Sequence, residues 1–181
     1  MDNQQATCEW ARLAGLLMGD GYFTMSVAYR KRVSGRGFLP IVPTVAFTNQ
    51  DATLINLFAE MFEQVGIKYY IESRNGTIWS KYPISTILVR RFDSLKLLLN
   101  NLLPWLVGDK KARAELILRY ISKERRGRRE PDVDDAEIIK MYLAVSPKIK
   151  KGKTSRLAEV LRDYEQNWVP THSDDIVQPA A

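Results

Sequence analysis

The chain has 181 residues, 45% of them hydrophobic, with one cysteine, one histidine and a formal charge of +6 from 27 Lys and Arg against 21 Asp and Glu. This length and composition favour one compact domain with a hydrophobic core. The single cysteine excludes an internal disulfide. The single histidine, His172, lies in a predicted loose tail, which argues against zinc fingers, histidine-based metal nucleases and serine–histidine triads. Any hydrolysis therefore has to use carboxylates, amides, lysines and a hard cation. The positive charge suits a polyanionic partner such as nucleic acid.

The sequence has no apolar run long enough to cross a membrane, and its first residues lack a signal-peptide pattern. We therefore expect an intracellular protein that is not secreted and has no membrane partner.

Apolar periodicity predicts an alternation of helices and strands. In chain order we expect a helix over 9–19, strands over 23–32 and 38–48, a helix from Asp51 to Gly66, a hairpin of strands over 68–74 and 77–90 with an Asn-Gly turn, and helices over 93–104, 110–123, 134–145 and 154–167. Pro40 and Pro43 favour an edge position or a bulge for the second strand. This order is typical of an α+β fold with a four-stranded antiparallel sheet.

The segment Leu13–Gly21, LAGLLMGDG, contains two unusual choices. Asp20 lies in the last turn of its helix, where a carboxylate opposes the helix dipole at a cost of about 0.3–1 kcal/mol; it is either a solvated acid before a turn or a functional group. Gly15 and Gly19 share one helix face at about 1 kcal/mol each relative to alanine. They predict close packing, either against the chain's own sheet or against the same helix of a second subunit, which would bring two Asp20 carboxylates together.

The same nine residues resemble the signature of the LAGLIDADG homing endonuclease family, with Leu17, Met18 and Gly19 in place of Ile, the first Asp and the second Ala. The resemblance covers roughly Trp10 to Ser122 and implies an αββαββα core with a saddle-like sheet. It implies an endonuclease core over 1–122, a basic linker and C-terminal helices packed on that core over 123–168, and a disordered tail over 169–181.

The resemblance also implies the activity of the single-motif, homodimeric type. That activity is Mg²⁺-dependent hydrolysis of double-stranded DNA at a long pseudo-palindromic site, by a protein that is often intron-encoded. Asp20 of each subunit and the Gly19 carbonyl would hold Mg²⁺, with Mn²⁺ or Ca²⁺ able to substitute in binding. The implied dimer interface contains Leu13, Gly15, Leu16 and Gly19.

Two further segments resemble the family's catalytic positions. VAFTNQD (residues 45–51) is similar to the end of the family's second strand and places Asn49 beside the metal and water, with Gln50 next to it. LLPWLVGDKKARAEL (residues 102–116) is similar to the segment with the basic active-site residue. Alignment on Ala114–Leu116 assigns this role to Lys110, and alignment on Pro104 leaves Lys111 as the alternative.

We expect DNA to lie on the outward face of the sheet and on basic loops, because strands fit the major groove and basic side chains neutralise phosphates. The predicted DNA-binding residues are Thr24, Ser26, Ala28, Arg30, Arg32, Arg36, Thr44, Lys68, Tyr70, Glu72, Arg74, Lys81 and Lys111. The alternative function is a non-cleaving nucleic-acid binder of the same fold, either an intron RNA maturase or a DNA-binding regulator.

Overall fold

The computed structural model describes residues 3–27, 41–75, 82–123, 133–146 and 156–167. Its elements are α1 (Asn3–Asp20), β1 (Gly21–Val27), β2 (Ile41–Asn49), α2 (Ala52–Gln64), β3 (Tyr70–Arg74), β4 (Ile84–Val89), α3 (Phe92–Leu102), a 3₁₀ turn (Leu103–Trp105), α4 (Gly108–Ser122), α5 (Val133–Val145) and α6 (Arg156–Asn167). This order and the antiparallel sheet confirm the predicted α+β fold with an αββαββα core and additional C-terminal helices.

The second hairpin is shorter than predicted. β3 begins at Tyr70 instead of Lys68, because the backbone N–H of Lys68 donates to Ser94 Oγ at 2.9 Å and not to a neighbouring strand. β4 begins at Ile84 instead of Thr77. Part of the predicted Asn-Gly turn and the first part of the predicted fourth strand fall within residues 76–81, which lie outside the described residues.

The sheet has the strand order β1-β2-β4-β3, and all neighbours are antiparallel. β2 is therefore an interior strand, and its predicted edge position is wrong. β4 pairs with β2 only from Val45 onward, whereas β1 pairs with it from Ile41. Pro43 lies in the part of β2 that has one partner strand among the described residues, so its missing N–H is tolerated there.

The two faces of the sheet differ as the alternation of residues predicts. One face packs against the helices through buried apolar side chains, which include Phe23, Met25, Val45, Phe47, Ile87 and Val89. We call the opposite face the outer face. By strand register it carries Tyr22, Thr24, Ser26, Val42, Thr44, Ala46, Thr48, Tyr70, Glu72, Arg74, Ile84, Thr86 and Leu88.

Helix α2 begins and ends where the sequence predicts. Asp51 is its N-cap, with a side-chain oxygen that accepts from the Thr53 N–H at 2.8 Å. Gly66 follows the helix with φ of 75° and donates to Glu63 O, which is the left-handed C-terminal arrangement that favours glycine. This exit places β3 at the far edge of the sheet.

The C-terminal helices cover the β1 side of the sheet. Helix α5 packs on α4, and α6 packs on α5 and β1. The buried Tyr142 of α5 donates its hydroxyl to Phe23 O of β1 at 3.0 Å, which satisfies a carbonyl at the sheet edge. The division of the chain at residues 122 and 168 stays a prediction. None of the described helices combines the length and apolarity needed to cross a bilayer.

Candidate active site at the end of helix α1

Asp20 stands at a sharp junction between helix and strand. It is the last residue of α1, and β1 begins at the next residue, Gly21. A Cβ at Gly21 would lie 2.5 Å from Leu17 Cδ2 and 2.7 Å from Leu17 Cα, closer than atoms can pack. Only glycine therefore allows the strand to start directly beside the last helical turn. Asp20, the residue before this glycine, is exposed.

Asn49, the last residue of β2, lies against this carboxylate. Its Nδ2 donates to Asp20 Oδ2 at 3.4 Å, while its Oδ1 accepts from the backbone N–H of Asp51 at 2.9 Å. The second bond orients the amide, because it directs the oxygen toward α2 and the nitrogen toward Asp20. The neighbouring Gln50 is exposed just beyond the strand.

Lys110 binds the same helix end from the first turn of α4. Its Nζ donates to the carbonyl oxygens of Leu17, Met18 and Gly19 at 2.7, 2.7 and 3.1 Å. The last carbonyls of a helix lack partners within the helix and carry negative partial charge, so a cation here is favourable by about 0.3–1 kcal/mol. Lys111 is exposed, and it is Lys110 that the fold places at the end of α1.

The surroundings of Lys110 act on its charge in opposite directions. Burial lowers the pKa of the Lys110 ammonium from its ordinary value, the positive charge of Arg113 lowers it further, and the carboxylate of Asp20 raises it. The net direction is downward. The site therefore contains one carboxylate and one lysine close enough to influence each other.

The space beside the Cα atoms of Gly15 and Gly19 on the surface of α1 is open in the described chain. A Cβ built at either glycine would find no atom within 4 Å, and both residues are exposed. Packing of these glycines against the chain's own sheet, one of the two alternatives, is therefore wrong. Leu16, which was also predicted for the dimer interface, is half-buried.

Leu13 does not belong to this face, and its predicted place in a dimer interface is wrong. It is fully buried together with Ala14 and Leu17, which lie on the side of α1 that faces the sheet. The helical period of 3.6 residues directs position 13 inward while it directs positions 15 and 19 outward.

The oxygen donors at this site suit a hard cation, but one chain supplies few of them. Asp20 contributes one carboxylate, and the Gly19 carbonyl keeps a second lone pair beside its bond to Lys110. The described residues contain no group of three or more His, Cys, Asp or Glu side chains arranged to hold a metal ion. A complete set of ligands would need a second source of oxygen atoms.

The outer face of the sheet presents most of the predicted DNA-binding residues that the structure describes. Ser26 and the edge-strand residues Tyr70, Glu72 and Arg74 are exposed, and Thr24 is partly exposed. Lys68 and Lys111 are exposed outside the sheet. Five other predicted residues, Ala28, Arg30, Arg32, Arg36 and Lys81, lie outside the described residues.

The centre of the outer face is closed. Thr44 is 5% exposed, and its neighbours in the sheet, Ala46 and Leu88, are each 2% exposed. The burial of Thr44 argues against the direct DNA contact predicted for it.

The structure also reveals polar and aromatic groups on this face that the sequence did not single out. Tyr22 is 38% exposed beside the site, and Thr48 and Thr86 pair through their hydroxyls at 2.9 Å. Arg90 forms an ion pair at 3.5 Å with Glu72, which the sequence had already singled out. Extending the alternation of β1 back by one step and of β2 forward by one step would have identified Tyr22 and Thr48.

The sequence profile of the LAGLIDADG-like domain matches residues 7–97 of the 181, half of the chain, and this match includes Asp20 and Asn49. The chain belongs to the LAGLIDADG family. No curated protein sequence matches it.

Solved structures of LAGLIDADG homing endonucleases share the fold. The homing endonuclease I-CvuI in complex with its target in the presence of Ca superposes with a TM-score of 0.62 at 19% identity, covering 90% of this chain and 96% of that one. I-CvuI with the I-CreI target in the presence of Mg, with the DNA not cleaved, superposes with a TM-score of 0.60 at 20% identity. This superposition covers 90% of this chain and 98% of that one. The archaeal intron-encoded homing endonuclease I-Vdi141I complexed with DNA superposes with a TM-score of 0.59 at 16% identity. This superposition covers 87% of this chain and 95% of that one.

Proposed function

We propose that the chain acts as a homodimeric homing endonuclease that cleaves double-stranded DNA at a long pseudo-palindromic site by Mg²⁺-dependent phosphodiester hydrolysis. The observation that carries the proposal is the convergence of Asp20, Asn49 and Lys110 at the end of α1, directly beside the open face that carries Gly15 and Gly19. An intron origin is part of the proposal, and the intron-encoded homing endonuclease I-Vdi141I shares the fold.

The open face of α1 supports the dimer. Each of the two helical glycines lowers the stability of a single chain by about 1 kcal/mol relative to alanine. Within the described chain, no atom packs into the space that the missing Cβ atoms leave. A second copy of α1, packed across a two-fold axis, would use the close approach that glycines permit. Because Asp20 follows Gly19 directly, this arrangement would bring the two carboxylates to one place.

The donor set supports a divalent cation. Asp20 of each copy would hold Mg²⁺ together with the Gly19 carbonyl, and Mn²⁺ or Ca²⁺ could replace it in binding. When bound, such an ion neutralises phosphate charge and makes a bound water easier to deprotonate. The chain's own contribution is to keep Asp20 exposed and oriented: Gly21 fixes its place, and the Asn49 amide donates to it.

Lys110 would act as a fixed positive charge. An ammonium group has three N–H donors, and three carbonyls of α1 accept from it. Its positive charge remains close to Asp20, where it would stabilise negative charge that develops on the phosphate. Asn49 could hold a water in line with the phosphate from its position between Asp20 and Asp51.

The outer face supports DNA binding. Exposed Tyr70, Arg74 and Ser26 surround a closed centre, so base contacts would come from the sheet's flanks. Strands of this kind fit a major groove, where arginine can pair with guanine and hydroxyl groups with several bases.

The test is cleavage of duplex DNA taken from the locus that carries this reading frame, with the reading frame removed. With Mg²⁺, the wild-type protein should cut at a defined position, and Asp20→Asn should abolish cutting but retain binding of the same duplex. Asp93→Asn is the matched control, because it removes an exposed carboxylate from the first turn of α3 and should leave cutting intact.

Specific binding without cutting, by wild type and Asp20→Asn alike, would overturn the nuclease proposal in favour of a non-cleaving nucleic-acid binder, a maturase or a regulator. The same assay with the intron RNA as competitor distinguishes these two: a maturase binds the RNA more tightly than the duplex.

A further inference from the structure

Arg113 makes a second contact of the same kind as Lys110, one helical turn further along α4. Its Nε and Nη2 both donate to the carbonyl oxygen of Val145 at 3.0 Å, and Val145 is the last residue of α5. The guanidinium is half-buried, so water competes less for these bonds. Residues three apart lie on one side of a helix. The first two turns of α4 therefore hold the C-terminal ends of two different helices.

The beginning of α4 has little support of its own. Its N-cap, Val107, makes no side-chain capping bond, and Gly108 follows with φ of 58°. The first four N–H groups of a helix need outside partners, so an uncapped first turn opens easily. Lys110 lies in this turn, so its position depends on its own bonds to α1 and on contacts that α4 makes further along the helix.

Helix α5 contacts two elements near Asp20, which are α4 and β1. It holds α4 through the Arg113–Val145 contact, and it holds β1 through the hydrogen bond from Tyr142 to Phe23 O. Phe23 lies three residues after Asp20. The reaction proposed above makes no direct use of Arg113 or Tyr142.

We propose that Arg113 is a positioning residue: by fixing α4 to the end of α5, it keeps the first turn of α4, and with it Lys110, against the end of α1 that carries Asp20. This inference rests on the proposed function for its catalytic consequence. It gives the C-terminal helices a role in the reaction although they contribute no group to the site.

The catalytic arm of the test uses three variants of α4. Arg113→Met removes both hydrogen bonds and keeps an apolar stem, while Arg113→Lys restores one donor. Arg119→Met is the matched control, because Arg119 also joins α4 to α5, through Glu137 at 3.2 Å, but on an exposed side remote from Lys110 along the helix. Cleavage rates are measured in single turnover with saturating protein, at a temperature where every variant is folded.

Arg113→Met should lower the single-turnover rate by about tenfold or more, because small displacements of a reacting group are costly, and should leave the DNA dissociation constant within about twofold. Arg113→Lys should recover part of the rate, and Arg119→Met should match wild type. An equal loss in Arg113→Met and Arg119→Met would overturn the proposal, as would a loss confined to DNA binding.

Amide hydrogen exchange provides an arm that needs no cleavage. Exchange of the amides over residues 17–25 should be faster in Arg113→Met than in wild type and unchanged in Arg119→Met. If the wild type binds DNA without cutting it, the proposed function fails, yet this exchange pattern still decides whether Arg113 holds the end of α1. Unchanged exchange in Arg113→Met would refute the positioning role even if the wild type cleaves DNA.

Discussion

A leucine at Gly15 should strengthen the fold of one chain and weaken the association of two. A Cβ at this position meets no atom within 4 Å, and the residue is exposed in the interior of α1. Leucine is close to alanine in helix propensity, so Gly15→Leu should raise the free energy of unfolding of the monomer by about 0.5–1 kcal/mol. For a chain of this size that corresponds to a rise in Tm of about 2 °C or slightly more.

The dimer should respond in the opposite direction. An inserted leucine at a contact between two closely packed helices is overpacked, at a cost of about 1–3 kcal/mol, and it occurs once in each copy. The dissociation constant of the dimer should therefore increase by at least about tenfold. Sedimentation velocity over a concentration series measures association, and urea denaturation of dilute protein measures the stability of the monomer.

Glu60→Leu is the control for this experiment, because it adds a leucine to the exposed face of α2, away from the glycines. It should leave the dissociation constant unchanged. Association of Gly15→Leu as tight as that of wild type would refute the assignment of this α1 face to the dimer. A loss of monomer stability would refute the open space described around Gly15.

Three further substitutions test the construction of the site. Gly21→Ala should destabilise the chain by about 1–3 kcal/mol in urea denaturation, since its Cβ would lie 2.7 Å from the Leu17 backbone; a neutral effect would show that the junction can relax. Tyr142→Phe should lower the free energy of unfolding by about 1–3 kcal/mol, because Phe23 O would lose its buried partner; an unchanged Tm would contradict this. Because the pKa of Lys110 is lowered in the folded chain, unfolding takes up a proton. The stability of wild type relative to Lys110→Met should therefore increase as the pH rises toward 10.5, the ordinary pKa of lysine, and a difference that stays constant with pH would contradict it.

The order of elements and the faces of the sheet followed from local patterns. Alternation identified Phe23 and Met25 as core residues, and the Asp51 cap and Gly66 predicted the limits of α2. These signals depend on residues close in sequence, and they can therefore be read before the fold is known.

Three features of the site depend on tertiary structure and could not be read from the sequence. The contact of Lys110, and not Lys111, with the end of α1 depends on the direction in which α4 meets that helix. The burial of Thr44 is a tertiary effect, whereas the alternation of β2 alone predicts an outward, accessible residue. The Arg113 contact joins residues 32 apart in sequence, and no local pattern predicts it.

The decisive experiment for the shared metal site is a crystal structure of the complex between the protein, its duplex target and Ca²⁺. We expect two copies related by a two-fold axis, with the Gly15 faces of their α1 helices in contact and Asp20 of both copies bound to Ca²⁺ at about 2.3–2.6 Å. Asp20 carboxylates far apart, with the two α1 helices turned away from each other, would contradict it.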